Sequence, residues 1–95
     1  MFKKEIHLRN NQLKKLDKNL FNGGLFSLSH IEMGNNEIEK LDTDIFKNLF
    51  KLKYIHLENN KFKTEKLVIS IQNSVRYVSF KMNYFENNIN HVLNR

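Results

Sequence analysis

Residues 28–51 read LSHIEMGNNEIEKLDTDIFKNLFK, and this stretch decides the fold. Apolar side chains fall at Leu28, Ile31 and Met33, then at Ile38 after Asn36, and then at Leu41, Ile45, Phe46 and Leu49. The unit is L-x-x-L-x-L-x-x-N-x-L followed by an apolar return arm. It recurs upstream as Ile6, Leu8, Asn11 and Leu13, and downstream as Leu52, Ile55, Leu57, Asn60 and Phe62. A last copy is Val75, Val78, Phe80, Asn83 and Phe85. The aligned asparagines Asn11, Asn36, Asn60 and Asn83 lie 25, 24 and 23 residues apart. A period sustained in this range marks a chain built of stacked, nearly identical coils.

The repeats divide the chain, read as one domain over 1–95, into segments of about 3–27, 28–51, 52–74 and 75–95. Alternation in each first half (Ile6 and Leu8 between His7 and Arg9, for instance) predicts a short half-buried strand. In the first repeat Lys3 stands where the others have Leu28, Leu52 and Val75, with Phe2 available for the missing contact. Asn22-Gly23-Gly24 is a turn signal, and Leu20, Phe21 and Leu25 lead back toward the core. Phe21 and Phe46 begin a phenylalanine spine that the third return arm does not continue. Leu67-Val-Ile-Ser-Ile71 alternates there as a strand would. After the fourth asparagine, Phe85, Ile89, Val92 and Leu93 recur at helical spacing, as in a short closing helix or the broken start of further chain.

Parallel strands about 4.8 Å apart turn the inward pairs Ile6/Leu8, Ile31/Met33, Ile55/Leu57 and Val78/Phe80 into one apolar column. At the bend the stacked asparagines offer donors and an acceptor to backbone groups that have left the ladder. Return arms bulkier than strands would curve the sheet, making its exposed face concave. Three rows cross that face: Glu5, His30, Tyr54, Tyr77; His7, Glu32, His56, Ser79; and Arg9, Gly34, Glu58, Lys81.

The candidate partner-binding residues are therefore His30, Tyr54, Tyr77, His56, Glu58, Glu32 and Arg9. Tyrosine combines apolar area with a hydroxyl at low entropic cost, so the two tyrosines lead the set. They serve equally well as mere cover for the sheet. The row His7, Glu32, His56 invites a metal reading. Its two histidines lie two strands apart, about 9–10 Å, too far to share one ion at ~2 Å per bond, so no metal is expected from it.

Composition excludes several classes. The chain has no cysteine, which rules out disulfides and thiolate zinc sites. No nucleophile–base–acid constellation or phosphate-cradling glycine loop is present, so neither catalysis nor a cofactor is expected. No apolar run approaches the ~20 residues of a membrane helix. Met1–Glu5 leads into a strand without the apolar stretch of an export signal. The net charge of +6 raises a nucleic-acid reading. Lys14, Lys15, Lys18, Lys40, Lys47, Lys51, Lys61, Lys63 and Lys66 fall on turns and return arms, which reads as a solvated surface.

On LxxIxMxxNxI at Leu28–Ile38 and the arm Leu41–Leu49, the chain resembles the typical class of leucine-rich repeats, as in Toll-like receptors and related animal ectodomain proteins. The resemblance covers most of residues 3–85. It implies a horseshoe segment, an α/β-type solenoid with a short parallel sheet on the concave face and irregular, 3-10 or short-strand return arms. It implies a protein partner, in innate immunity or adhesion, for a non-catalytic module. Export signal, cysteine caps, membrane segment and signalling domain are missing from the pattern, so the sequence reads as a fragment of a longer receptor-like or secreted protein. The localisation is then extracellular; a chain complete as given would be cytoplasmic and would dimerise edge to edge through its first strand. A structural spacer without a ligand, and a basic nucleic-acid surface, are the alternatives.

Overall fold

The computed structural model describes residues 4–23, 27–42, 44–63, 69–70, 74–83 and 93–94. Its strands are β1 (Glu5–His7), β2 (His30–Glu32), β3 (Tyr54–His56), β4 (Ile69–Ser70), β5 (Tyr77–Ser79) and β6 (Leu93–Asn94). Strands β1, β2, β3 and β5 form one parallel sheet in that order, and β4 pairs with β6 in a second. In the larger sheet Glu5 faces His30, His30 faces Tyr54, and Tyr54 faces Tyr77, so equivalent repeat positions are in register throughout.

Backbone bonds continue the ladder past the strand ends. Leu8 N–H donates to Glu32 O (2.7 Å), Met33 to His56 O (2.8 Å) and Leu57 to Ser79 O (2.9 Å). Beyond the bend, Glu37 N–H reaches Leu13 O and Lys61 N–H reaches Ile38 O, each at 2.8 Å. The coils thus hold each other by main-chain bonds on both sides of the turn.

The inward column follows the alternation, except that Val78 is only partly buried. Ile31, Met33, Ile55, Leu57 and Phe80 are buried with Leu28, Leu52, Val75, Ile38 and Phe62 in one continuous core. Ile6 and Leu8 are only partly buried against it, because β1 is an edge of the sheet and is covered from one side. The return arms close the core from behind through Ile45, Phe46 and Leu49, and Phe21 packs on Phe46 with ring centroids 5.7 Å apart. Phe62 meets Phe80 edge-on at 5.8 Å, so aromatic packing passes to the other side of the bend in the later repeats.

Each of the first two arms turns on an aspartate. Asp17 accepts Asn19 N–H on its side chain and Leu20 N–H on its carbonyl; Asp42 does the same for Asp44 and Ile45. Such side-chain-to-backbone bonds favour turns over helix, which is why these arms are turns.

The asparagine ladder forms. Asn36 Nδ2 donates to Leu8 O one coil back (2.9 Å) and to Met33 O and Gly34 O in its own, while its Oδ1 accepts Leu13 N–H (3.2 Å). Asn60 repeats this with Met33 O, Leu57 O, Glu58 O and Ile38 N–H. Asn83 repeats it with Leu57 O, Phe80 O, Lys81 O and Phe62 N–H. Among the described residues, Asn11 bonds only Leu8 O and Arg9 O of its own coil.

A second ladder, one residue earlier, has no counterpart among the sequence expectations. Asn10, Asn35 and Asn59 have φ of 64°, 56° and 54°, the left-handed region that asparagine tolerates better than other side-chain-bearing residues. They stack as well: Asn35 Nδ2 donates to Asn10 Oδ1 (2.6 Å) and Asn59 Nδ2 to Asn35 Oδ1 (2.8 Å). In the fourth repeat this conformation falls on Met82, with φ of 60°.

Some expectations are corrected. Leu20 is exposed, because the turn that buries Phe21 directs its neighbour outward. Ser79 belongs to an exposed row yet is buried; its short side chain lies in register beside the larger His56. Leu93, assigned to a closing helix, is in β6, where pairing with β4 gives its backbone an extended partner. The rest of that helix (Phe85, Ile89, Val92) lies outside the described residues, as do Phe2, Lys3, Leu25, Leu67, Val68 and Ile71. The short-strand reading of the third arm matches β4 at Ile69–Ser70.

Candidate functional site

The alternation that buries Ile31 and Ile55 forces His30, Glu32, Tyr54 and His56 onto the opposite, open face of the sheet. All seven candidate residues gather there, with Tyr54 and Tyr77 the most open at 42% and 43% exposed. The other five are partly buried, because long side chains on strands ~4.8 Å apart cover one another.

The contacts run diagonally between rows. His7 packs on His30 (centroids 6.0 Å), His30 stacks on His56 (5.0 Å, 21° between planes), and His56 packs on Tyr77 (5.4 Å). Tyr54 joins at His30, 5.6 Å away. The rings make a continuous aromatic strip across all four strands, with the two tyrosines at its open side.

Two chains of charge flank the strip. In the first, His7 lies between carboxylates, Nδ1 2.9 Å from Glu32 Oε2 and Nε2 2.9 Å from Glu5 Oε1. Hydrogen bonds to Glu32 and then Glu5 raise the His7 pKa above its ordinary 6.5. The same bond from His7, with a smaller one from His30, lowers Glu32 below its ordinary 4.5. In the second chain, Arg9 Nη2 reaches Glu58 Oε2 at 3.2 Å, and Glu58 Oε2 lies 3.5 Å from His56 Nδ1.

Gly34 makes the second chain possible. Arg9 and Glu58 stand two strands apart in their row, with Gly34 between them. A Cβ on Gly34 would lie 2.7 Å from Arg9 Nη1, so the guanidinium crosses the sheet in the space a side chain would fill.

Row-by-row reasoning placed His7, Glu32 and His56 together and overlooked the diagonal. The structure brings ligand atoms of His30, Glu32 and His56 within 4.8 Å of one another. The signal was available: positions three and five share a face, and a long side chain spans the step between strands. The lysines are also less scattered than their sequence positions suggest. Lys14, Lys15, Lys40 and Lys63 line one depression of about 270 Å³ with Glu39, away from the aromatic strip.

The leucine-rich repeat family model matches residues 4–62, more than half of the sequence. The chain belongs to the leucine-rich repeat family. Comparisons with curated proteins and with solved structures find no significant match. Leucine-rich repeat domains generally mediate protein–protein interaction and are typically non-enzymatic, which agrees with an open face of rings and ion pairs. Among the described residues, no helix is long and apolar enough to cross a membrane.

Proposed function

We propose that this leucine-rich repeat chain is a non-catalytic module that takes a protein partner on the open sheet face, the concave wall of a repeat horseshoe. The observation that carries this reading is the pair Tyr54 and Tyr77, each exposed by about two-fifths and backed by a histidine ring. Such residues are rigid amphipathic anchors that lose little entropy on binding. Arg9, Glu32, Glu58, His30 and His56 supply a polar surround. A receptor-like, extracellular setting in recognition or adhesion follows the resemblance to Toll-like receptor repeats and is part of the same proposal.

The test starts with a photo-reactive residue in place of Lys53, beside the strip, to trap the partner. Tyr54→Ala and Tyr77→Ala should then each weaken its binding by more than about 1 kcal/mol, with the circular dichroism unchanged. Unaltered affinity in both variants would move the interface to another surface. Oligonucleotide binding that falls steeply with salt, and is lost on replacing Lys14, Lys15, Lys40 and Lys63 by glutamate, would replace the reading with a nucleic-acid one.

A further inference from the structure

We propose that His30, Glu32 and His56 form a binding site for a divalent transition-metal ion of the Zn2+ type. The site does not depend on the protein-binding reading. It rests on three ligand atoms from two neighbouring strands, all within 4.8 Å of one another on one face. Two nitrogens and a carboxylate oxygen are a donor set suited to Zn2+, Co2+, Ni2+ or Cu2+ rather than to Mg2+ or Ca2+.

The distances nearly fit. Ligands about 2.0–2.1 Å from a tetrahedral ion stand roughly 3.3 Å apart. His30 Nε2 and Glu32 Oε1 are already 3.3 Å apart. The His56 nitrogen must close the remainder by side-chain rotation, and its ring already stacks on His30 at 5.0 Å.

Surrounding groups hold the ligands as metal sites require. A ligating histidine ordinarily has its other ring nitrogen on a carboxylate, a backbone carbonyl or water, which fixes the tautomer and aims the lone pair. His56 Nδ1 faces Glu58 Oε2 at 3.5 Å, and Arg9 pins that carboxylate, which leaves Nε2 for the ion. The second oxygen of Glu32 is taken by His7, itself held by Glu5, which leaves Oε1 for the ion. Both charge chains flanking the strip thus end on a proposed ligand. Three protein ligands leave a fourth position open to solvent, where water binds.

Calorimetric titration of the full chain with Zn2+ should show one saturable site per chain. Co2+ in its place should give the intense visible absorption of a four- or five-coordinate ion rather than the pale octahedral spectrum. His30→Gln, His56→Gln and Glu32→Gln should each abolish saturation, with circular dichroism showing the fold retained. Glu58→Gln, which only releases His56, should weaken binding by about tenfold to a hundredfold. Glu39→Gln, in the lysine-lined depression away from the strip, should leave it unchanged. No saturation at millimolar Zn2+ would overturn the proposal. So would binding that survives in His30→Gln and His56→Gln, or that Glu39→Gln removes.

Discussion

Replacing Asn60 by alanine tests the ladder most sharply, because the structure shows which backbone groups would be stranded. Asn60 is buried and bonds four of them. Its three carbonyl partners each keep another donor: Met33 O keeps Asn36, Leu57 O keeps Asn83, and Glu58 O keeps the Asn35 N–H. Ile38 N–H has no such substitute among the described residues, and Ile38 is fully buried. One orphaned buried donor costs about 1–3 kcal/mol. Three weakened carbonyl bonds add about half a kcal/mol each on the scale of ordinary net hydrogen bonds, for a total of about 2.5–4.5 kcal/mol. Against the ~5–14 kcal/mol expected for a chain of this length, that is a large loss. Asn11→Ala is the control: Leu8 O keeps Asn36 and Arg9 O loses its bond at an exposed site, so the cost should stay below about 1 kcal/mol. Urea unfolding followed by circular dichroism and tyrosine fluorescence gives both values. Equal losses in the two variants, or less than about 1 kcal/mol for Asn60→Ala, would refute the account of amides completing the coil before them.

Met82→Asn should raise the urea midpoint, by about 0.5–1 kcal/mol in stability, since it relieves a left-handed non-glycine residue and offers Asn59 Oδ1 a donor. No gain would mean that the second ladder ends there for another reason. Gly34→Ala must push the Arg9 guanidinium aside, so the ordering gain of ~0.4–1 kcal/mol usual for this change should appear only when Arg9 is also alanine. A double-mutant cycle in urea showing the same effect in both backgrounds would remove Gly34 from the Arg9–Glu58 contact. The raised His7 pKa gives stability that is complete below the ordinary 6.5 and lost as pH rises through the folded value. Glu32, depressed, gives stability present above 4.5 and lost as pH falls through its folded value, so the pair helps most between these limits. In chelator, His7→Gln should flatten the alkaline side of the stability profile, and Glu32→Gln should return the His7 NMR titration toward 6.5.

The fold was legible because its cause is periodic. A leucine, isoleucine or asparagine that returns every 23 to 25 residues leaves few alternatives to stacked coils, and the register follows from aligning the asparagines. The open-face residues followed from the same alternation. What stayed hidden depends on reach across strands. The stacking of His30 on His56 joins different rows, and Arg9 meets Glu58 only because the residue between them is glycine. The second ladder was hidden for another reason. Asn10, Asn35 and Asn59 sit beside the asparagines that already explained the motif, and nothing in a spacing pattern reveals a left-handed backbone. Leu93 was misread because a helical spacing of apolar residues says nothing about a free strand edge at Ile69.

The interior amides all reach in one direction, each gripping the turn that was laid down before it. A turn is therefore finished only when its successor arrives, much as a course of masonry is locked by the one above. During synthesis the chain emerges in that same order, so each newly released repeat closes off loose ends left by its predecessor. For these amide bonds the two ends are unequal: without the first turn Asn36 itself loses Leu8 O and Leu13 N–H, whereas without the fourth Phe62 N–H is stripped of the acceptor that Asn83 provides.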